Sequence, residues 1–208
     1  MATAAIYLDT DEIEELVTSL EWASHASQML HAGNPHWKQI ILALHNAVQG
    51  ACVCALRGVD TAGITMLEKR SADGMLAWLN LPEEERISQP YPDEWLASPN
   101  ELFKRVQKEK FMHPAVPLVA NHSTKIAFKK LCELRKEFAH FVPKSWSIEI
   151  SGMPKIVELM TEVIHHLAIA HPSFSRHMED EQLGRLSKAL DELRRTVSNW
   201  ALANGISR

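Results

Sequence analysis

Residues 35–56 read PHWKQIILALHNAVQGACVCAL, and this apolar stretch decides the fold class of the chain. The preceding Asn34 and Pro35 predict a helix start, because proline is preorganised for the first helical turn and lacks the amide that would stay unpaired there. Apolar side chains then continue around almost the whole helical circumference, so other elements must surround this helix. The stretch therefore predicts a central helix inside a helical bundle.

Helical periodicity also dominates on both sides of the central helix, and each segment has a recognisable start signal. The expected helices are 10–31 after an Asp9 or Thr10 cap, 99–110 after Ser98, 122–141 after Asn121, 153–170 after Ser151, and a last helix over 178–203. The segment 145–151 alternates like a strand, but one short strand has no partner, so we expect an extended loop. The tryptophans are spread evenly, and we expect them in the core and at its edges.

Residues 58–98 follow a looser pattern. Short helices are expected within 63–79, and the four prolines between 81 and 99 predict an extended loop. We interpret this region as an insert or lid on a single domain spanning residues 1–208, because 208 residues with 46% hydrophobic side chains can bury one proper core. The predicted fold is an all-α up-and-down bundle of five or six main helices with an irregular insert.

Charge and cysteine content limit the classes of function. The chain has 22 basic and 26 acidic residues, which argues against a protein that coats nucleic acid over its whole surface. Three cysteines indicate a reducing compartment, and Cys52 and Cys54 are expected as small core residues. The N-terminus turns acidic quickly, and no apolar run approaches the roughly 18 residues of a membrane span, so we expect a cytoplasmic protein without a membrane partner.

Positive charge is concentrated in one helix. Residues 122–144 contain six basic and two acidic residues, whereas the remainder contains 16 basic and 24 acidic residues. At about 100° per residue, Arg135 falls at the flank of the apolar stripe of this helix, while His140 falls on the opposite side. The lysines on the far side with His140 are Lys125, Lys129 and Lys136. Such a stripe attracts a phosphate backbone.

The segment LCELRKEFAHF, residues 131–141, contains arginine and histidine five positions apart, at Arg135 and His140. This spacing resembles the R-x4-6-H motif of the HEPN superfamily, and the stretches 44–50 and 141–149 resemble uncharacterised bacterial HEPN-like proteins. The resemblance implies a metal-independent endoribonuclease without a cofactor, in a toxin or defence system. It further implies a homodimer in which two motifs face each other in one cleft, with Arg135 and His140 as catalytic residues and an antitoxin or a nucleotidyltransferase as partner.

The residue types suit this chemistry. Histidine exchanges protons near neutral pH, and arginine donates paired hydrogen bonds to phosphate oxygens. Lys125, Lys129 and Lys136 are the predicted RNA-binding residues. On the central helix, His45, Asn46 and Gln49 are expected either as a buried hydrogen-bonded cluster or as support for the Arg135 region.

Two other interpretations stay open. Lys136 follows the arginine where many active HEPN members have asparagine, and Val142 replaces a tyrosine that some members use for modification, which favours a non-catalytic interaction module. A remote alternative is a di-iron carboxylate bundle that uses Glu137 with His140 and Glu162 with His165. That site also needs a carboxylate from the central helix, and residues 35–57 contain none.

Overall fold

The computed structural model describes residues 10–30, 36–57, 60, 63–140, 147–170 and 177–206, and these residues form an all-α bundle. The helices are α1 Glu12–Gln28, α2 Trp37–Arg57, α3 Lys69–Leu79, α4 Glu83–Ser88, α5 Pro99–Arg105, α6 Glu109–Met112, α7 His122–Ala139, α8 Met153–Ile164 and α9 Asp180–Ala203. A 3-10 turn, Ile64–Met66, precedes α3, and a π-helical turn, His165–Ile169, extends α8. The predicted all-α class is confirmed.

Helix α2 is central, as its sequence predicts, and it packs against α1, α5, α7 and α8. Helix α1 passes close to α2 at Gly50, where an added Cβ would lie 3.3 Å from the Cβ of Leu16. At the start of α2, the ring of Trp37 meets that of Trp200 from the last turn of α9 edge to face, with centroids 5.1 Å apart. Its predicted start signal, Asn34 and Pro35, lies outside the described residues.

The prediction that no apolar run approaches the length of a membrane span is wrong for α2, which is long and apolar enough to cross a membrane by length and composition. However, 67% of its most apolar window is buried within the fold, and the core helix of a globular protein has the same properties. Cys52 and Cys54 are buried free thiols, as predicted for small core residues, and burial raises the pKa of Cys52 to about 12. The cytoplasmic location stays a prediction.

Some helix boundaries differ from the predicted ones. The cap of α1 is Asp11, whose carboxylate accepts hydrogen bonds from the amides of Ile13 and Glu14 at 3.0 and 2.8 Å. The cap of α8 is Gly152, because the predicted cap Ser151 instead donates its hydroxyl hydrogen to Glu149 at 2.6 Å. Asn121 caps α7 as predicted, and it accepts from the amide of Thr124 at 2.8 Å.

The helix predicted over 99–110 is divided into α5 and α6. The carbonyl of Val106 accepts from the amide of Leu118 at 2.8 Å, so a later segment uses a group that a continuous helix would need. Between 81 and 99 the extended loop is interrupted by α4, where Pro82 precedes three glutamates in the first turn. Proline and acidic residues both stabilise a helix start, which the count of prolines alone did not reveal.

Residues 63–98, which we call the appendage, are the described part of the predicted insert. Their buried side chains Leu67 and Met75 lie outside the main hydrophobic core. A bridge between Leu67 and Leu96 closes the base of the appendage. Arg105 of α5 donates to the carbonyls of Thr65 and Leu67 at 2.8 and 2.7 Å. The appendage is thus held to the bundle mainly at its base.

The last helix, predicted over 178–203, is α9, and it begins with a capping box between Glu179 and Gln182. It packs along α1, and Arg185 joins the two helices through the carboxylates of Glu14 and Glu21. The four hydrogen bonds of Arg185 measure 2.7 to 3.1 Å. Hydrogen bonds from Arg185 are the main reason why the pKa of Glu14 is lowered.

An Arg185→Ala variant is expected to lower the free energy of unfolding at neutral pH by about 1 kcal/mol, because the three side chains are about one-third exposed and water screens the pairs. The lowered pKa of Glu14 stabilises the fold above the unfolded carboxyl pKa of about 4.3. This contribution is lost as the pH falls through the folded value. Urea unfolding across this acidic range should therefore show a flatter pH dependence in the variant.

The matched control is Arg195→Ala, on the exposed side of α9, for which the described residues contain no ion-pair partner. It should leave both the stability and its pH dependence within error. An equal loss in the two variants would contradict the stabilising role of the Arg185 bridge.

Candidate functional site

The inward face of α7 holds the helix against α2 and α8. Its buried side chains are Thr124, Ala127, Phe128, Leu131, Leu134 and Phe138. The ring of Phe128 stacks on that of Phe103 in α5 with centroids 3.9 Å apart. Residues 141–144, at the end of the predicted basic segment 122–144, lie outside the described residues, and Val142 is among them.

The outward face of α7 is exposed and basic. Lys125, Lys129 and Lys136 all project into solvent, as their helical positions predict. The ammonium of Lys129 lies 3.9 Å from the carboxylate of Glu133, which also lies 3.8 Å from the ammonium of Lys130. Such long exposed pairs contribute little, so the lysines stay available to an external anion.

His140 closes α7 as its C-cap residue. Its amide donates to the carbonyl of Lys136 at 3.0 Å, and its φ of −126° takes the chain out of the helix. The side chain is exposed, as predicted. An imidazole at this place can exchange protons with a bound molecule without displacing any part of the core.

Arg135 is half-buried at the flank of the apolar stripe and lies near the contact between α7 and α2. Burial has the largest effect on the pKa values of Cys132 on α7 and of His45 on α2, and the positive charge of Arg135 acts on both in the lowering direction. For Cys132 burial has the larger effect and raises the thiol pKa to about 11. Sequence reasoning did not single out Cys132 as a neighbour of the arginine.

His45 is buried beneath this contact with 5% of its surface exposed. Burial is the main reason why its pKa is lowered, the charge of Arg135 lowers it further, and the side chain of Asn46 raises it. The imidazole is therefore neutral at pH 7. Its Nδ1 atom has no hydrogen-bond partner among the described residues.

The three polar residues predicted as one group on α2 separate in the structure. Asn46 is exposed, so the expected buried cluster of His45, Asn46 and Gln49 is wrong. Asn46 and Gln49 line a cavity of about 310 Å³ on the α1 side of α2, together with Glu12, Glu15 and Leu96. Of the three, His45 alone is buried, because neighbouring positions on a helix point in different directions.

Arg135 and His140 leave the axis of α7 about 140° apart, given five residues at about 100° each. The first faces the edge of the core and the second faces solvent. A site in which one phosphate contacts both types of side chain is therefore more easily formed by two copies of α7 than by one. The positions of Arg135 and His140 in one chain do not test whether the two residues act as a pair.

The described residues contain no group of three or more histidine, cysteine, aspartate or glutamate side chains that could hold a metal ion. Glu137, Glu162 and His165 of the di-iron alternative are all exposed. Within this part of the chain, no residues support that alternative.

Comparisons of the chain with protein-family models, curated proteins and solved structures find no match. The HEPN resemblance thus depends on the R-x4-H motif, the all-α fold and the basic face of α7. A function for this chain must therefore be inferred from the chemistry and position of its own residues.

Proposed function

We propose that the chain is a metal-independent endoribonuclease of the HEPN type that acts as a homodimer. The observation that carries the proposal is the outward face of α7, where exposed Lys125, Lys129 and Lys136 lead to the exposed His140 at the helix end. Positive side chains along a helix attract the phosphate backbone of RNA, and the imidazole of His140 supplies a group for proton transfer. Arg135, on the flank of the same helix, adds a permanent positive charge.

The proposed reaction uses the 2′-hydroxyl of RNA as the nucleophile. His140 of one protomer removes the hydroxyl proton while O2′ attacks phosphorus, and the bond from phosphorus to the 5′-oxygen breaks. The departing 5′-oxygen takes a proton from the imidazolium of His140 in the other protomer. The products are a 2′,3′-cyclic phosphate and a 5′-hydroxyl. General acid and general base thus come from two copies of one residue, which a twofold dimer provides.

Arg135 stabilises the extra negative charge that develops on the phosphate oxygens during this reaction. Its half-buried position restricts the conformations of a long side chain that would otherwise be mobile. The lowered pKa of His45 keeps its imidazole neutral at pH 7, so the imidazole adds no second positive charge that would repel the guanidinium of Arg135. His45 is proposed as a positioning residue for Arg135.

Purified protein in excess EDTA is expected to cleave single-stranded RNA and leave cyclic phosphate ends, because every proposed catalytic group is a side chain. The same oligonucleotide with 2′-O-methyl groups throughout should stay intact, since it lacks the nucleophile. Gel separation and mass spectrometry of the ends measure both results.

Cleavage of the methylated RNA, or cleavage restored only by added metal, would contradict the proposed mechanism. An intact substrate under all conditions would instead favour the non-catalytic interaction module.

A further inference from the structure

The appendage exposes an unusual amount of apolar surface. Six of the eleven exposed large hydrophobic side chains in the described residues lie between positions 76 and 96: Leu76, Leu79, Ile87, Tyr91, Trp95 and Leu96. Its buried side chains Leu67 and Met75 form no part of the main core, whereas Ala97 at its base belongs to it. Concentrated exposed apolar surface marks interaction sites, and tryptophan and tyrosine are enriched in them.

Several contacts order the appendage. The rings of Trp78 and Tyr91 meet edge to face with centroids 5.3 Å apart, and the guanidinium of Arg86 lies 5.6 Å from the centre of the Trp78 ring. The backbone amide of Trp95 donates to the hydroxyl of Ser71 at 3.0 Å, which fixes the chain beneath the indole. The exposed indole is thus held on an ordered backbone.

A cavity of about 520 Å³ lies beside Trp95. It is lined by Glu68, Arg70, Ser71, Gly74, Pro92, Asp93 and Trp95. Neither Glu68 nor Asp93 has an ion-pair partner within 4 Å among the described residues. Two carboxylates beside the face of an indole are the groups that recognise an ammonium or guanidinium.

The net charge of the appendage limits which kind of partner can bind to this surface. Residues 68–96 contain seven acidic and three basic residues, a difference of −4. RNA and anionic lipid would be repelled by this excess, and two appendages that met face to face would repel each other. A positively charged protein segment with apolar side chains matches both the negative charge and the exposed apolar surface of the appendage.

We propose that the appendage binds a cationic segment of another protein, whose lysine or arginine side chain enters the cavity beside Glu68, Asp93 and Trp95. The apolar side chains of the same segment cover the exposed aromatic surface. This interaction is separate from the basic face of α7 and does not rest on the proposed ribonuclease activity.

The test uses a fluorescent synthetic helix of leucine and lysine, a copy with glutamate for lysine, and the full chain, with binding followed by fluorescence anisotropy. The lysine helix should bind and the glutamate copy should not. Trp95→Ala should weaken binding about tenfold, since it removes both the indole face and apolar area. Trp22→Ala is the matched control, because Trp22 on α1 is 62% exposed against 64% for Trp95.

Substitutions of opposite sign separate recognition from misfolding. Asp93→Asn and Glu68→Gln should each weaken binding about threefold, whereas Arg70→Gln should tighten it by a similar factor, because Arg70 repels the cation. Partial unfolding would not shift binding in opposite directions according to the sign of the charge removed. RNA cleavage and its rate should be the same in all these variants and the unmodified protein.

Three results would overturn the proposal: equal binding of the glutamate helix, equal loss in Trp22→Ala and Trp95→Ala, or no effect of Arg70→Gln. If Trp95→Ala converted a dimer into a monomer in light scattering, the occupant would be a second copy of this chain. That result would also contradict the proposal of a foreign partner.

Discussion

A His140→Ala variant is expected to cleave single-stranded RNA about a thousandfold more slowly than the unmodified protein, because general acid and general base are lost together. The side chain is exposed at the end of α7, so its removal leaves no cavity and should not change the melting temperature. Initial rates in EDTA over a range of RNA concentrations measure the effect. The loss should appear in kcat, because the lysines that bind the backbone are retained.

The control is His122→Ala, which removes an exposed histidine from the first position of the same helix. This variant should keep the full rate. A His140→Ala protein that cuts RNA as fast as the unmodified protein would remove the basis for the proposed function.

Mixing experiments examine the dimer separately. If each reaction needs His140 from both protomers, equal amounts of unmodified and His140→Ala protein should retain about a quarter of the activity after subunit exchange, since only dimers of two intact chains are active. Independent protomers would retain about a half. The second result would contradict the shared site while leaving His140 as a catalytic residue.

The fold class was predictable because the apolar pattern of α2 has one simple solution, a helix with neighbours on several sides. Helix starts were less predictable, since Asp11, Thr10 and Asp9 all have side chains that can cap a helix. The choice depends on which of these side chains accepts from the amides of the first turn, and in the structure the carboxylate of Asp11 accepts from Ile13 and Glu14. The division into α5 and α6 depends on a hydrogen bond from Leu118, which no local pattern contains.

The candidate site was predictable to the extent that one helix determines it. Helical spacing correctly assigned Lys125, Lys136 and His140 to solvent and Arg135 to the flank of the apolar stripe. Contacts between helices could not be predicted from helical spacing. Sequence alone could not separate His45, near Arg135, from Gln49 one turn later, because which of them faces α7 depends on how α2 is rotated in the bundle.

The cavity of the appendage illustrates a further limit. Glu68 is far from Asp93 and Trp95 in the sequence, and a bridge between Leu67 and Leu96 brings the two segments together. A single bridge produces no periodic pattern in the sequence. The tryptophans were therefore expected in the core and at its edges. The exposed Trp22 and Trp95 show that this expectation was wrong for two of them.

A Leu44→Ala variant is expected to lose about 3 kcal/mol of unfolding free energy, because the substitution leaves a cavity in the middle of the bundle. Leu44 has no exposed surface, and α2 has neighbours on several sides that cannot all move inward to fill the space. Urea unfolding followed by circular dichroism measures the loss as a lower midpoint with an unchanged slope.

The same substitution at Leu202 is the matched control, since that side chain is 65% exposed near the end of α9, and its loss should stay within about 0.5 kcal/mol. The comparison separates the loss of burial from the change in side-chain type. Equal losses at the two positions would mean that α2 is no more enclosed than the last turn of α9. The bundle would then lack the central helix against which α7 packs to present its basic face.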